Sequence, residues 1–324
     1  MTYATKLAIP ESEVVDRANE AYGLDAKLVS IRRGLFSTIV FLSSGDRKLV
    51  LKCYRTDETD PGQLTYAAQL NRYLAAKGIP VAAWRATRGG EGILEHRENF
   101  FQLWEQVEGT PFKPSVPGLE AAAGTLGRFH NATESYPGIR RGNGGSYWGG
   151  VQARMEETWR NVLTGNGPAH LVETFREHLT RLEPYRRDLE AQPSCVIHSD
   201  YRAQNMVFRD HTIAAVLDLD SVRKAPRIYD LSYAVIFFQA VLEPGPLNPT
   251  EMSHFFRAYH AELGLSDQEK RLMPKALGFC LLQGLSLWLE VAFVSKVNPD
   301  SVITWIDLYL PLLTWLDRNG ELVF

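Results

Sequence analysis

The stretch CVIHSDYRAQNMVFRDHTIAAVLDLDSV, residues 195–222, constrains this chain more than any other. Its polar side chains fall in two groups, His198, Asp200 and Asn205, then Asp218 and Asp220, with apolar runs before and after each. Short apolar runs bounded by polar turns read as strands, which puts both groups on loops at strand ends. The residue types suit one chemistry. A hydroxyl nucleophile needs a carboxylate to orient it and accept its proton, and magnesium-bound phosphates need hard oxygen ligands. Asp200 is the candidate for the first task, and Asn205 and Asp218 for the second. Taken singly, Asp200 and Asn205 also read as turn formers, Asp218 and Asp220 as a solvated turn, and His198 as a core histidine. The set at this spacing favours the chemical reading.

His198, Asp200 and Asn205 reproduce the H-x-D-x-x-x-x-N pattern of a kinase catalytic loop, with a second acidic group on the next hairpin. The segments HSDYRAQNMVF, VLDLDSV and PRIYDLSYA together resemble the signature of the aminoglycoside phosphotransferase and choline kinase superfamily. That group includes type II homoserine kinases, amino-sugar kinases and a bacterial stress-response protein kinase. The resemblance is close over residues 195–234 and loose over most of the chain. It implies a two-lobed, protein-kinase-like α+β fold: a small N-terminal nucleotide-binding lobe, residues 1–105, with an antiparallel sheet and one main helix, and a larger, mainly helical catalytic and substrate-binding lobe, residues 106–324. Within the pattern Ser199 stands where the family usually has Gly. Asp220 replaces the glycine of the protein-kinase D-F-G triplet, as a metal-supporting or substrate-binding carboxylate.

Composition agrees with two lobes, since 324 residues exceed one compact core of ordinary size. The formal net charge of −3 and the scattered Arg pairs at 32–33, 140–141 and 186–187 argue against a nucleic-acid partner. Cys53, Cys195 and Cys280 are odd in number and lack C-x-x-C spacing, so neither a disulfide framework nor a zinc site is expected, and a reducing cytoplasm fits. The opening MTYATKLAIP lacks a signal pattern, and the apolar run Phe279–Val294, broken by Gln283 and Glu290, reads as a buried helix rather than a membrane span.

Along the chain, Val14, Val15, Ala18, Ala21 and Tyr22 predict a helix over residues 10–23. KLVSIRR, STIVFLSS and RKLVLKCYR predict a three-stranded meander. The turn RRGLFST, residues 32–38, is either a plain hairpin turn or a loop that lays backbone N–H groups and the Ser37 or Thr38 hydroxyl over phosphates. Lys52 shares a strand face with Val50, where a lysine must pair or snorkel; an edge-strand lysine that deters pairing is the other reading. In the family this lysine holds the α- and β-phosphates. A helix over residues 63–77 follows, on which the kinase pattern would place a Glu facing Lys52. That position falls at or near Ala67, with Gln69 the nearest polar side chain.

Strands are expected near residues 92–94 and over 100–107, and the resemblance makes the backbone near Glu105 to Val107 the hinge that meets an adenine edge. Residues 108–117 read as a linker, and 118–133 as a helix whose His130 packs in the core. Residues 136–150, rich in glycine, read as irregular, either a lid or a surface loop. Helices are expected over 152–163, 169–191, 250–263, 267–297 and 300–317, and Asp230 reads as a helix N-cap.

The resemblance therefore implies transfer of phosphate from ATP, with GTP left open as donor and Mg2+ as cofactor, to a small hydroxylated metabolite such as homoserine, an amino sugar, choline or an aminoglycoside. Asp220, Glu290 and Asp307 are carboxylates suited to a cationic acceptor, and equally to surface or helix pairing. No membrane partner is implied, and oligomeric state is open. Two rivals remain: a protein Ser/Thr kinase of the stress-response type, suggested by VLKCYR and DLDSVR, and a non-catalytic nucleotide-binding protein, suggested by the missing helix Glu.

Overall fold

The computed structural model describes residues 10–33, 37–57, 59–137, 146–239, 249–295 and 299–319. The chain divides into two compact units, Thr2–Thr110 with Ala214–Asp220, and Pro111–Ile213 with Ser221–Phe324.

In the first unit, α1 (Glu11–Tyr22) ends at Gly23, whose φ of 65° closes the helix in the left-handed conformation. The expected meander follows as β1 (Lys27–Arg33), β2 (Thr38–Ser44) and β3 (Arg47–Arg55). Helix α2 (Pro61–Ala76) starts at Asp60, whose side chain accepts from Gly62 N. Then come β4 (Trp84–Arg85), β5 (Leu94–His96) and β6 (Asn99–Glu105). The sheet is antiparallel in the order β1-β2-β3-β6-β4, with β5 also on β6. Strand β3 is thus interior, which removes the edge-strand reading of Lys52.

Alternation on β3 sorts the sheet's two faces. Leu49, Leu51 and Cys53 join Val14, Ala18 and Tyr22 of α1 and Phe101 and Leu103 of β6 in one core cluster. On the opposite face Val50, Lys52 and Tyr54 lie across from Trp104, Gln102 and Phe100, and Tyr54 and Phe100 pack on Leu64 of α2. The returning segment is tied in by Val216, whose N–H donates to Pro80 O at 2.8 Å beside a parallel bridge to Val81.

The second unit is mainly helical. It begins with α3 (Val116–Thr133), α4 (Tyr147–Thr164), α5 (Ala169–Leu182) and α6 (Arg186–Glu190). Pro184 splits the helix expected over 169–191 with a short 3-10 turn. Residues 147–150 correct another expectation: they form the first turn of α4, because the Ser146 hydroxyl accepts from Gly149 N at 3.1 Å and caps it. Residues 138–145 of the expected lid lie outside the described residues.

Three short strands of this unit, β7 (Ser194–Ile197), β8 (Met206–Arg209) and β10 (Arg223–Pro226), and β9 (Thr212–Val216), which runs from it into the first unit, frame the polar loops. β7 pairs with β10 and β8 with β9. Helices α7 (Arg227–Gln239), α8 (Pro249–Leu263), α9 (Asp267–Leu289) and α10 (Pro299–Asn319) complete the unit.

Helix α3 packs on α8, where a side chain at Gly127 would place its Cβ 2.8 Å from Glu262 Cβ, so close approach needs glycine there. Helix α9 is the spine, packed against α4, α5, α7 and α10. It opens with a capping box of Ser266 and Glu269 and ends in a π-helical turn, Glu290–Val294. Asp267–Val294 is long and apolar enough to cross a membrane, yet 61% of its apolar window is buried inside the protein, as befits a core helix. Cys53, Cys195 and Cys280 are free and buried.

Candidate active site

In the first unit the site is built on Lys52. Its Nζ lies 2.7 Å from Asp218 Oδ1 and 2.5 Å from Asp220 Oδ2. Tyr54, two residues along the same strand face, donates its hydroxyl to Asp220 Oδ2 at 2.8 Å, and Gln63 of α2 donates to Asp220 O at 3.1 Å. Burial alone would lower the Lys52 pKa, but the two carboxylates outweigh it and hold the ammonium well above the usual lysine range. Burial raises Asp220 against the pull of Lys52, and Asp218 adds to the rise. Asp218 itself sits at φ 63°, a left-handed conformation that Asp tolerates better than most residues. The α2 helix supplies no Glu: Ala67 is buried, Gln69 is exposed, and the loop aspartates take the lysine instead.

The second unit holds the loop after β7. Asn205 Nδ2 donates to Asp200 Oδ2 at 2.7 Å and to Asp200 O at 2.9 Å, leaving the amide oxygen of Asn205 as its remaining acceptor. Asp200 Oδ1 accepts from the Tyr233 hydroxyl at 2.6 Å, with Arg202 Nε at 3.1 Å. Burial, then the Asp200 charge, push the Tyr233 phenol well above its usual range, so it stays a donor. Sequence reasoning missed Tyr233, although its i, i+3 spacing from Asp230 puts both on one face of α7.

Asp230 corrects the N-cap expectation. It lies inside the first turn of α7, and its carboxylate accepts from two backbone donors of the loop, His198 N and Ser199 N, each at 2.8 Å. Ser199 needs that clamp because its φ is 67°, the left-handed region that favours glycine. Behind the clamp His130 Nε2 is 3.0 Å from Asp230 Oδ2 and Nδ1 is 2.8 Å from Tyr259 OH, both rings being fully buried. The partners assign the tautomer: Nε2–H donates to Asp230, and Nδ1 accepts from the tyrosine. Burial lowers the His130 pKa despite the adjacent carboxylate. Burial would raise Asp230, yet His130 and the backbone donor hold it below the usual carboxylate range. His130 is therefore structural, as expected, but polar in function.

The other sequence candidates are placed less tightly. Thr38 is fully buried inside β2 and Ser37 is half-buried, while residues 34–36 of that turn lie outside the described residues. The Glu105 N–H is taken by Ala83 O at 2.8 Å, and its carboxylate pairs with Arg47 at 2.7 Å and Arg85 at 2.5 Å. Val107 is half-buried beyond the end of β6. Glu290 accepts from the Thr158 hydroxyl at 3.1 Å and lines a polar cavity of about 480 Å³ with Arg154, Glu157 and Asn161. Asp307 is exposed on α10. Among the described residues no cluster of His, Cys, Asp and Glu is sufficient by itself to hold a metal.

The chain is similar to several known proteins. Homoserine kinase of Phenylobacterium zucineum (strain HLK1) is 24% identical over 257 residues, covering 78% of this chain and 76% of that protein. Other homoserine kinases match at 23 to 26% identity. An amicoumacin kinase solved with AMP-PNP and Ca2+ superposes with a TM-score of 0.76 at 15% identity, covering 95% of this chain and 93% of that one. A microcompartment-associated aminopropanol kinase gives 0.75 at 14% identity, covering 95% and 97%. The expected two-lobed, protein-kinase-like α+β fold is thereby borne out, with a small antiparallel sheet and a larger helical part. The family profile of phosphotransferase enzymes matches residues 27–269, and the chain belongs to that phosphotransferase enzyme family.

Proposed function

We propose that this chain transfers the γ-phosphoryl group of ATP to the hydroxyl of a small amino alcohol. Asp200 orients and deprotonates that hydroxyl, general-base help being worth about 100- to 10,000-fold. Lys52 fixes the α- and β-phosphates, and the backbone near Glu105 to Val107 receives the adenine edge. In this reading residues 1–105 bind the nucleotide, and 106–324 supply the catalytic groups and bind the acceptor. We place the reaction in the cytoplasm, where ATP and reduced thiols coexist.

The observation that carries the reading is the pairing of Lys52 with Asp218, groups 166 residues apart that only the kinase pattern links. The Glu missing from α2 was the reason to consider a non-catalytic protein, and two loop aspartates answer it by pairing with the lysine.

Mg2+ takes hard oxygens from one or two protein groups and the rest from phosphates and water rather than from a closed protein cage, and an amide oxygen and a carboxylate are each of that kind. Asn205 through its free amide oxygen and Asp218 through its carboxylate would hold it. When bound, the ion neutralises charge on the transferring group.

Among the relatives' named substrates, homoserine and aminopropanol are small amino alcohols, which supports that acceptor class. A mass-spectrometric screen of hydroxylated amines with Mg2+ and ATP should return a product heavier by one phosphate. A panel that yields none rejects the proposal.

A further inference from the structure

Arg223 opens β10 in register with Ile197, the last residue of the strand that delivers Asp200. Its Nε donates to the Ser199 hydroxyl at 3.2 Å, and its guanidinium carbon lies 4.5 Å from the centre of the Tyr147 ring. That ring is fixed in turn, stacked on Tyr229 at 4.5 Å with its hydroxyl 3.5 Å from Gln283 Oε1. Neighbouring arginines have carboxylate partners, Arg202 in Asp200 and Arg227 in Glu269. Among the described residues Arg223 has none.

A half-buried guanidinium held by one ring face and one hydroxyl keeps its two terminal nitrogens for another acceptor. Charge removed from water without a counter-ion is costly, and the planar fork matches an oxyanion in bidentate fashion. We propose that Arg223 binds the carboxylate of an amino-acid-like acceptor beside Asp200, an inference that rests on Asp200 being the base as described above. A transferring phosphate offers the same oxyanion chemistry, and kinetics separate the two.

The full-length protein, Arg223→Met and Arg223→Lys are titrated with L-homoserine and with 3-aminopropan-1-ol, the same amino alcohol without its carboxylate, at saturating Mg2+ and ATP. Losing bonds to a charged group should raise the KM for homoserine about 10- to 100-fold in Arg223→Met. The rise for 3-aminopropan-1-ol should be at least about tenfold smaller, and Arg223→Lys should fall between. Equal rises for both acceptors overturn the proposal. So does a rise confined to ATP, which would give the guanidinium to the phosphate.

Calorimetric binding of L-homoserine is measured in parallel. A protein that transfers no phosphate sinks the kinase reading but still reports on Arg223. Binding that weakens in Arg223→Met supports the handle, and binding that is equal in both, or absent from the wild type, overturns it. If Arg223→Met fails to fold, Arg223→Lys carries the comparison.

Discussion

Asp200 is held at both oxygens, by Asn205 and by Tyr233, so its position does not depend on substrate. Asp200→Asn should keep nucleotide binding and lower turnover at least about a hundredfold, read as kcat against an unchanged Kd for ATP. Wild-type-like turnover would reject the base assignment. Lys52→Met should raise the KM for ATP by about tenfold or more, since a charge-assisted contact to phosphate is lost; an unaltered KM would remove Lys52 from the nucleotide site. That Asp200 and Asn205 lie together was legible because their spacing is local. The partners of Lys52 were not, since they lie 166 and 168 residues away. Asp230 was misread for a related reason: a carboxylate near a helix start looks like a cap in sequence, and only tertiary structure shows it accepting from another loop.

At the scale of elements, two polar devices hold the helices. Glu269 closes the capping box of α9 and takes Arg227, the first residue of α7, through both carboxylate oxygens at 2.7 and 2.8 Å. Its side chain is fully buried and that of Arg227 is 13% exposed, so removing one partner strands a desolvated charge. Glu269→Ala should cost about 3–5 kcal/mol by denaturant titration, and a loss under about 1 kcal/mol would mean the pair is solvated.

The second device is the His130–Asp230 clamp. The folded His130 pKa lies below its ordinary value of 6.5, so its contribution is complete above that pH and is lost as pH falls below it. Asp230, also depressed, contributes above the ordinary carboxylate range and is lost only in stronger acid. Between about pH 6.5 and 5 the histidine therefore adds a rise of stability with pH, and His130→Gln should make the slope shallower over that window. An identical slope in the variant would refute this. Helix periodicity located most elements, but it could not see that Ser146 caps a glycine-containing turn or that two residues suffice for β4.

At the scale of the molecule, binding should register as stability. Mg2+ and ATP at a hundred times their Kd should stabilise the fold by about 2.7 kcal/mol, and chelating the metal should shrink the rise in Tm. The same Tm with ATP whether or not metal is present would dismiss the ion. The two-part organisation was legible from length and from the catalytic pattern. The return of Ala214–Asp220 to the first unit was not, since it rests on a backbone bond from Val216 to Pro80 that leaves no mark on local sequence. That return has a hereditary consequence. A recombinant that joins the N-terminal part of one relative to the remainder of another at Pro111 seats a foreign heptapeptide in the sheet-bearing unit and confronts a native lysine with borrowed aspartates. Such a graft should keep the pairing only where both parents carry those acids at the same interval, which ties the lysine to the distant loop in any exchange of parts.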